Sequence, residues 1–141
     1  MLSSSDSILA FDVGAKRIGV AVANAVARIA HPHSTIEHTP DVTERIKRLV
    51  KDEQAVIVVV GLPRGLSGQE TEQTRTVQAF GNELGVQLGL PLFWQDEAVT
   101  SAQAEAELKQ RGKPYAKGDI DALAATYILE DFLQEHPEVK A

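Results

Sequence analysis

A mixed α/β fold, with a central sheet of about five strands that is antiparallel at its start and parallel afterwards and flanked by α-helices, is predicted by three features. Two apolar runs sit on either side of a glycine-bearing turn near the start, a valine-rich run without polar alternation follows, and the later apolar residues recur at helical spacing. The 141 residues suit one domain over 1–141, with a core over about 8–134 and frayed ends at 1–7 and 135–141.

Taken in order, Ile8 to Phe11 reads as a strand, Asp12 to Arg17 as a tight turn, and Ile18 to Val22 as a second strand in hairpin connection. The segment around Ile29 to Ile36 can form a third strand at an edge, where Pro32 is tolerated. Thr39 followed by Pro40 reads as an N-cap with proline at the first helical position, and Val42, Ile46, Leu49 and Val50 continue at helical spacing. Ala55 to Val60 contains four valines and an isoleucine, the composition of a strand buried on both faces. Gly61 to Gly68 is too rich in glycine and proline for regular structure and reads as a loop at a strand's carboxyl end. A helix through Val77, Phe80 and Leu84 follows, then a short strand from Pro91 to Gln95. Thr100 with Gln103 three residues on forms a capping-box signature for a helix through about Lys109. After a loop from Gly112 to Gly118, a last helix carries Ile120, Leu123, Ala124, Tyr127, Ile128 and Phe132.

Composition narrows the function. No apolar run approaches the roughly 20 residues that span a bilayer, and MLSSSDS lacks the basic and apolar regions of a signal peptide, so a cytoplasmic protein without membrane contact is expected. With no cysteine, disulfides, thiolate metal sites and cysteine nucleophiles are excluded, and any metal falls to Asp, Glu or His. The formal charge of −6 argues against nucleic-acid binding by bulk electrostatics, although local basic stretches exist. Arg45, Lys47, Arg48 and Lys51 read as a solvated helix face, and Lys109, Arg111, Lys113 and Lys117 as a charged loop.

Four acidic positions stand out by place. Asp12 closes the first strand, Asp96 and Glu97 close the strand before the capping box, and Asp121 opens the final helix. A carboxylate in a strand such as ILAFDVG is costly to bury without a partner or cation, which points to a ligand; the alternative is an Asx turn. Asp119 suits a helix cap, and from position alone Asp121 fits a cap as well as a catalytic role. Asp96 and Glu97 point to opposite sides of a strand, and spacing does not choose between them. Convergent carboxylates suit Mg²⁺ or Mn²⁺, and two such ions about 4 Å apart can serve phosphodiester cleavage. His31 and His33 would share a strand face able to hold zinc, but histidines beside proline on a surface are usually solvated.

Four blocks then carry a resemblance over nearly the whole chain: Phe11 to Val22, Val60 to Pro63 with Gly68, Trp94 to Ser101, and Ile120 to Ala125 with Ile128 and Leu129. In order and together they resemble the YqgF-type family, whose members are described as pre-16S ribosomal RNA nucleases and as Holliday-junction resolvases. The resemblance implies a ribonuclease H-like fold and a metal-dependent nuclease that completes the 5′ end of 16S ribosomal RNA. It places the family's carboxylates on Asp12, Glu97 and Asp121 as catalytic residues and ligands of Mg²⁺, with Mn²⁺ as a substitute. It also implies precursor 16S RNA in pre-30S particles, or branched DNA, as the partner of a monomer or homodimer. Lys16, Arg17, Arg64, Lys113 and Lys117 would then contact the nucleic-acid backbone, with Tyr115 as a stacking platform. Two departures from the family pattern are visible: Ala98 stands where arginine usually follows the Asp-Glu pair, and the loop before the last helix is less basic.

Two other readings compete. Asp-x-Gly after a strand also resembles the phosphate-binding hairpin of actin-like ATPases and sugar kinases, but those need two such domains and 141 residues supply one. An RNA-binding module without catalysis is compatible with Ala98 and the acidic total.

Overall fold

The structure, a computed structural model, describes residues 4–65, 67–97 and 100–137, with the side chains of 100–103 outside that description. Five strands and four helices follow in the order β1 (Ser7–Val13), β2 (Arg17–Asn24), β3 (Ala30–Glu37), α1 (Val42–Asp52), β4 (Ala55–Pro63), α2 (Glu72–Leu88), β5 (Leu92–Glu97), α3 (Thr100–Arg111) and α4 (Lys117–Glu135). The sheet order is β3-β2-β1-β4-β5. β1 pairs antiparallel with β2 and β2 with β3, whereas β4 joins β1, and β5 joins β4, in parallel. No helix among the described residues is long and apolar enough to cross a membrane.

Alternation along the strands divides the core. Leu9, Phe11, Ile18, Val20, Val58 and Val60 pack on one face against α1 and α2. The other face presents smaller side chains, Ala10, Ala21 and Ala23 beside Ile8, Ile57 and Val59, and receives α4 through Ala125, Ile128, Leu129 and Phe132. α3 packs outside α4, with Ala104 and Leu108 against Leu123 and Ala124.

Several element boundaries differ from the sequence expectation: β1 runs on through Asp12 and Val13, and β5 through Asp96 and Glu97, because these residues pair with β2 and β4. Asp41, not Thr39, is the N-cap residue of α1, and it makes no side-chain cap. The Thr39 hydroxyl donates to the Asp41 carboxylate, so it is turned away from the helix N–H groups. β4 runs on through Gly61, Leu62 and Pro63, because these pair with Gln95, Asp96 and Glu97 of β5. α4 begins at Lys117, three residues before Ile120, with the Ala116 N–H donating to Asp119 Oδ2 at 2.9 Å. The capping box on Thr100 and Gln103 falls on side chains outside the described residues. A capping box that the sequence reading overlooked opens α2, where Thr71 and Thr74 bond each other's backbone N–H. The buried Thr74 hydroxyl also donates to the Pro63 carbonyl, tying the start of α2 to the end of β4.

The seat of α4 depends on glycine. A methyl group on Gly19 would overlap the backbone carbonyl of Asp121, which has no freedom to turn aside. One on Gly61 would meet only the flexible end of Ile128. Gly19→Ala should therefore cost about 1–3 kcal/mol in urea unfolding. Gly85→Ala within α2, where the added carbon finds ordinary contact with Leu92, should be neutral or stabilising by up to about 1 kcal/mol. Equal effects at the two positions would contradict the tight seat of α4.

Candidate active site

Strand parity decides which acids face α4. Asp12 shares the face of Ile8 and Ala10, and it is the only residue of β1 not fully buried. Glu97 has the parity of Phe93, which packs on that face, and of Gln95, whose Nε2 donates to Glu135 Oε2 at 2.7 Å. Asp96 has the opposite parity; it is 66% exposed and accepts from Arg64 Nε at 3.4 Å. Geometry therefore turns Glu97 toward α4 and Asp96 away from it.

The ladder between β1 and β4 ends at Phe11 and Val60, so Asp12 is the first residue of β1 beyond it. Gly61 lies across this notch, and Glu97 lies two strand spacings from Asp12, about 10 Å to the side, and two residues further along. Asp12 also pairs in the ladder with Gly19, the residue on which the Asp121 backbone rests. Two strand ends and one helix thus bring Asp12 beside Asp121. Because α4 starts at Lys117, Asp121 lies beyond the first turn, where capping is left to Asp119.

The site is charged against its surroundings. Burial first, and then the charge of Asp121, push the Asp12 carboxyl up to about 6. Burial raises Glu97 further, to about 8, helped by a hydrogen bond to Asp131 and by the charges of Asp131, Glu135 and Asp12. Among the described residues, Glu97 Oε1 is the one buried side-chain polar atom with no hydrogen-bond partner. The hydrogen bond between the Glu97 and Asp131 carboxyls requires that one of the two hold a proton. Asp131 escaped the sequence reading; its one sign was an acid set between Ile128 and Phe132 of the buried stripe.

The carboxylates form two pairs, Asp12 with Asp121 and Glu97 with Asp131, linked by the influence of Asp12 on Glu97. Among the described residues no three Asp, Glu or His side chains converge on one point. Of the basic residues singled out in the sequence, Arg17 is in the site, its Nε donating to Asp121 Oδ2 at 2.6 Å. Lys16 is exposed in the β1–β2 turn, and Arg64 follows β4 on Asp96. Lys113 and Lys117 are exposed around the start of α4, where Lys113 lines a cleft with Arg111, Tyr115 and Pro32. His33 Nε2 lies 3.5 Å from Glu53, and His31 is exposed on β3. Ala98 lies outside the described residues.

This five-stranded mixed sheet, with a carboxylate-lined notch under its last helix, is the plan of the ribonuclease H-like nucleases and resolvases. Its overlay on T. thermophilus RuvC in complex with a Holliday junction substrate gives a TM-score of 0.56 at 19% identity, covering 95% of this chain and 98% of that one. Fowlpox virus resolvase with Holliday junction DNA gives 0.53 at 13% identity, covering 94% and 99%. At such identities the shared property is the fold. The sequence profile of RuvX, described as Holliday junction resolvase, matches residues 6–135, and the chain belongs to that family of phosphodiester-cleaving enzymes. Relatives named "Putative pre-16S rRNA nuclease" include one from Shewanella oneidensis, 36% identical over 137 residues, or 94% of this chain and 97% of that protein. Another, from Chloroflexus aurantiacus, is 44% identical over 130 residues, or 89% and 85%.

A pH dependence follows from the two raised carboxyls. The folded state retains protons that the unfolded chain has released, so their stabilising contribution is complete below the ordinary values of 3.8 and 4.5. It is lost as pH rises through about 6 for Asp12 and about 8 for Glu97. In chelator, Asp12→Asn and Glu97→Gln should melt above the wild type at alkaline pH and lose that advantage on acidification below the ordinary carboxyl values. Calorimetric melting curves that stay parallel across this range would contradict the crowding of these groups.

Proposed function

We propose that the protein is a metal-dependent nuclease that hydrolyses phosphodiester bonds of precursor 16S ribosomal RNA. Asp12, Glu97 and Asp121 are its catalytic carboxylates in this reading. The observation that carries it is the pair of partly buried carboxylates, Asp12 and Glu97, facing the notch between β1 and β5, with Oε1 of Glu97 lacking a hydrogen-bond partner. Burying like charges together without a counter-charge is costly, and a divalent cation removes that cost. The donor set, all oxygen and without cysteine, fits a hard cation such as Mg²⁺ or Mn²⁺.

Asp12, Glu97 and Asp121 would hold the metal, with Asp131 beside Glu97. When bound, the metal supplies the positive charge for activating water and for stabilising the leaving oxygen. The chain's own residues do the rest. The ladder partners of β1 and β5 fix the carboxylates that flank the notch, and Gly61 between them admits the Ile128 side chain of α4. Lys16 in the turn, Arg64 after β4, and Lys113 and Lys117 near α4 are placed to hold the phosphate backbone on either side. Hydrolysis in this arrangement leaves a 5′-phosphate and a 3′-hydroxyl. The relatives' name supports the RNA substrate. The family's description supports a second reading, a four-way DNA junction cut by a dimer.

Cleavage of labelled precursor 16S 5′-end RNA and of a four-way DNA junction, with Mg²⁺, Mn²⁺ or chelator, tests both readings. Asp12→Asn should lower metal-dependent cleavage about 100-fold or more while leaving circular dichroism unchanged. Asp96→Asn, on the opposite side of the strand, should stay within about two-fold of wild type. Full activity in Asp12→Asn would overturn the assignment; cleavage of the junction alone would move the substrate to DNA.

A further inference from the structure

The shortest charged contact in the site joins Arg17 to Asp121. Arg17 Nε donates to Asp121 Oδ2 at 2.6 Å, and the two side chains are 37% and 20% exposed. At this length it is a strong, charge-assisted hydrogen bond in a place that water still reaches. Both backbones are held. The Arg17 carbonyl accepts from Gly14 N–H at 2.9 Å across the turn, and Arg17 pairs with Glu37 in the β2–β3 ladder. The Asp121 backbone rests on Gly19. The freedom that remains lies in the long, partly exposed arginine side chain.

Asp121 therefore stands between two claims. On one side, its backbone rests on Gly19, the ladder partner of Asp12, so α4 sets Asp121 over the strand pair that carries Asp12. On the other, one of its oxygens is already held by a guanidinium. A cation that takes that oxygen must displace Arg17, and a displaced guanidinium recovers the planar fork of donors that suits a phosphate. Lys16, one residue earlier, carries the same charge but is exposed in the turn.

Resting on the metal-nuclease reading above, we propose that Arg17 is an internal counter-ion of Asp121 that a divalent cation displaces, and that the released guanidinium then holds a substrate phosphate. Metal and nucleic acid thereby each favour the other's binding. A phosphate that draws Arg17 away frees Asp121, and a cation on Asp121 frees Arg17; by linkage the two effects are equal in size. Arg17 is in this role a positioning residue in the metal-free protein and a substrate contact in the loaded one.

The test is Mn²⁺ binding followed by electron paramagnetic resonance, with and without a short single-stranded RNA in saturating amount. Without RNA, Arg17→Gln should bind Mn²⁺ about five-fold more tightly than wild type, while Lys16→Gln, which removes the same charge, should change it less than about two-fold. RNA should tighten Mn²⁺ binding about five-fold in wild type and under about two-fold in Arg17→Gln. Melting in chelator checks the fold. If Arg17→Gln does not fold, Arg17→Lys carries the test, with Mn²⁺ affinity rising about two-fold because an ammonium lacks the guanidinium's geometry. Unchanged or weaker Mn²⁺ binding in the Arg17 variant would overturn the inference, as would an equal gain in Lys16→Gln or a coupling that survives the loss of Arg17. Absence of Mn²⁺ binding to the wild type would instead contradict the metal site itself.

Discussion

Where α4 crosses β2, the Asp121 carbonyl occupies the space that any side chain at position 19 would need, and glycine alone permits the approach. The strand residue paired with Gly19 is Asp12, so this one close packing contact sets a helix carboxylate beside a strand carboxylate. From there α4 runs across the sheet over Ala10, Ala21, Ile57 and Val59, and reaches β5 with Asp131 beside Glu97. Ten residues of helix, about 15 Å, separate Asp121 from Asp131, which matches a diagonal path over several strands. Small side chains on this face of the sheet, and large ones on the face under α1 and α2, are the sequence's means of admitting α4 so closely.

Such packing gathers charge as well as apolar area. Asp121 disfavours ionisation of Asp12, and Asp12 and Asp131 disfavour that of Glu97, while Arg17 is bonded to Asp121 alone among these acids. A fold selected for stability alone would have little use for an acid at position 12, near the end of a strand otherwise buried from Ser7 to Val13. The local crowding is tolerated because the surrounding elements are tightly fixed. Buried Ile8, Leu9, Ala10 and Phe11 hold the strand, and the Thr71–Thr74 cap with its bond to Pro63 holds the far side of the notch.

Most of the architecture was legible because hydrophobic periodicity records burial. The Ala55 to Val60 run, the hairpin around Gly14 and the stripe through Ile128 and Phe132 each mark an element that the structure contains. What periodicity cannot register is which neighbour a backbone group meets. Gly61 and Pro63 read as loop residues, yet pairing with β5 keeps them in a strand. Thr39 reads as a cap, yet its hydroxyl is spent on Asp41. In the site, Asp12 was visible as an acid in an apolar strand, and strand parity in the structure separates Glu97 from Asp96. Asp131 and the Arg17 to Asp121 bond were not visible, since each depends on contacts between residues far apart in the chain, with 104 positions between the bonded pair.

In the proposed function, the carboxylates of β1, β5 and α4 act on one cation once it is bound. Backbone NMR during a Mn²⁺ titration tests it most directly, because the ion broadens the signals of every nucleus close to it. The amides around Asp12, Glu97 and Asp121 should broaden first and along one common concentration curve. Broadening that begins elsewhere on the acidic surface, or that reaches the three segments at separate concentrations, would contradict it.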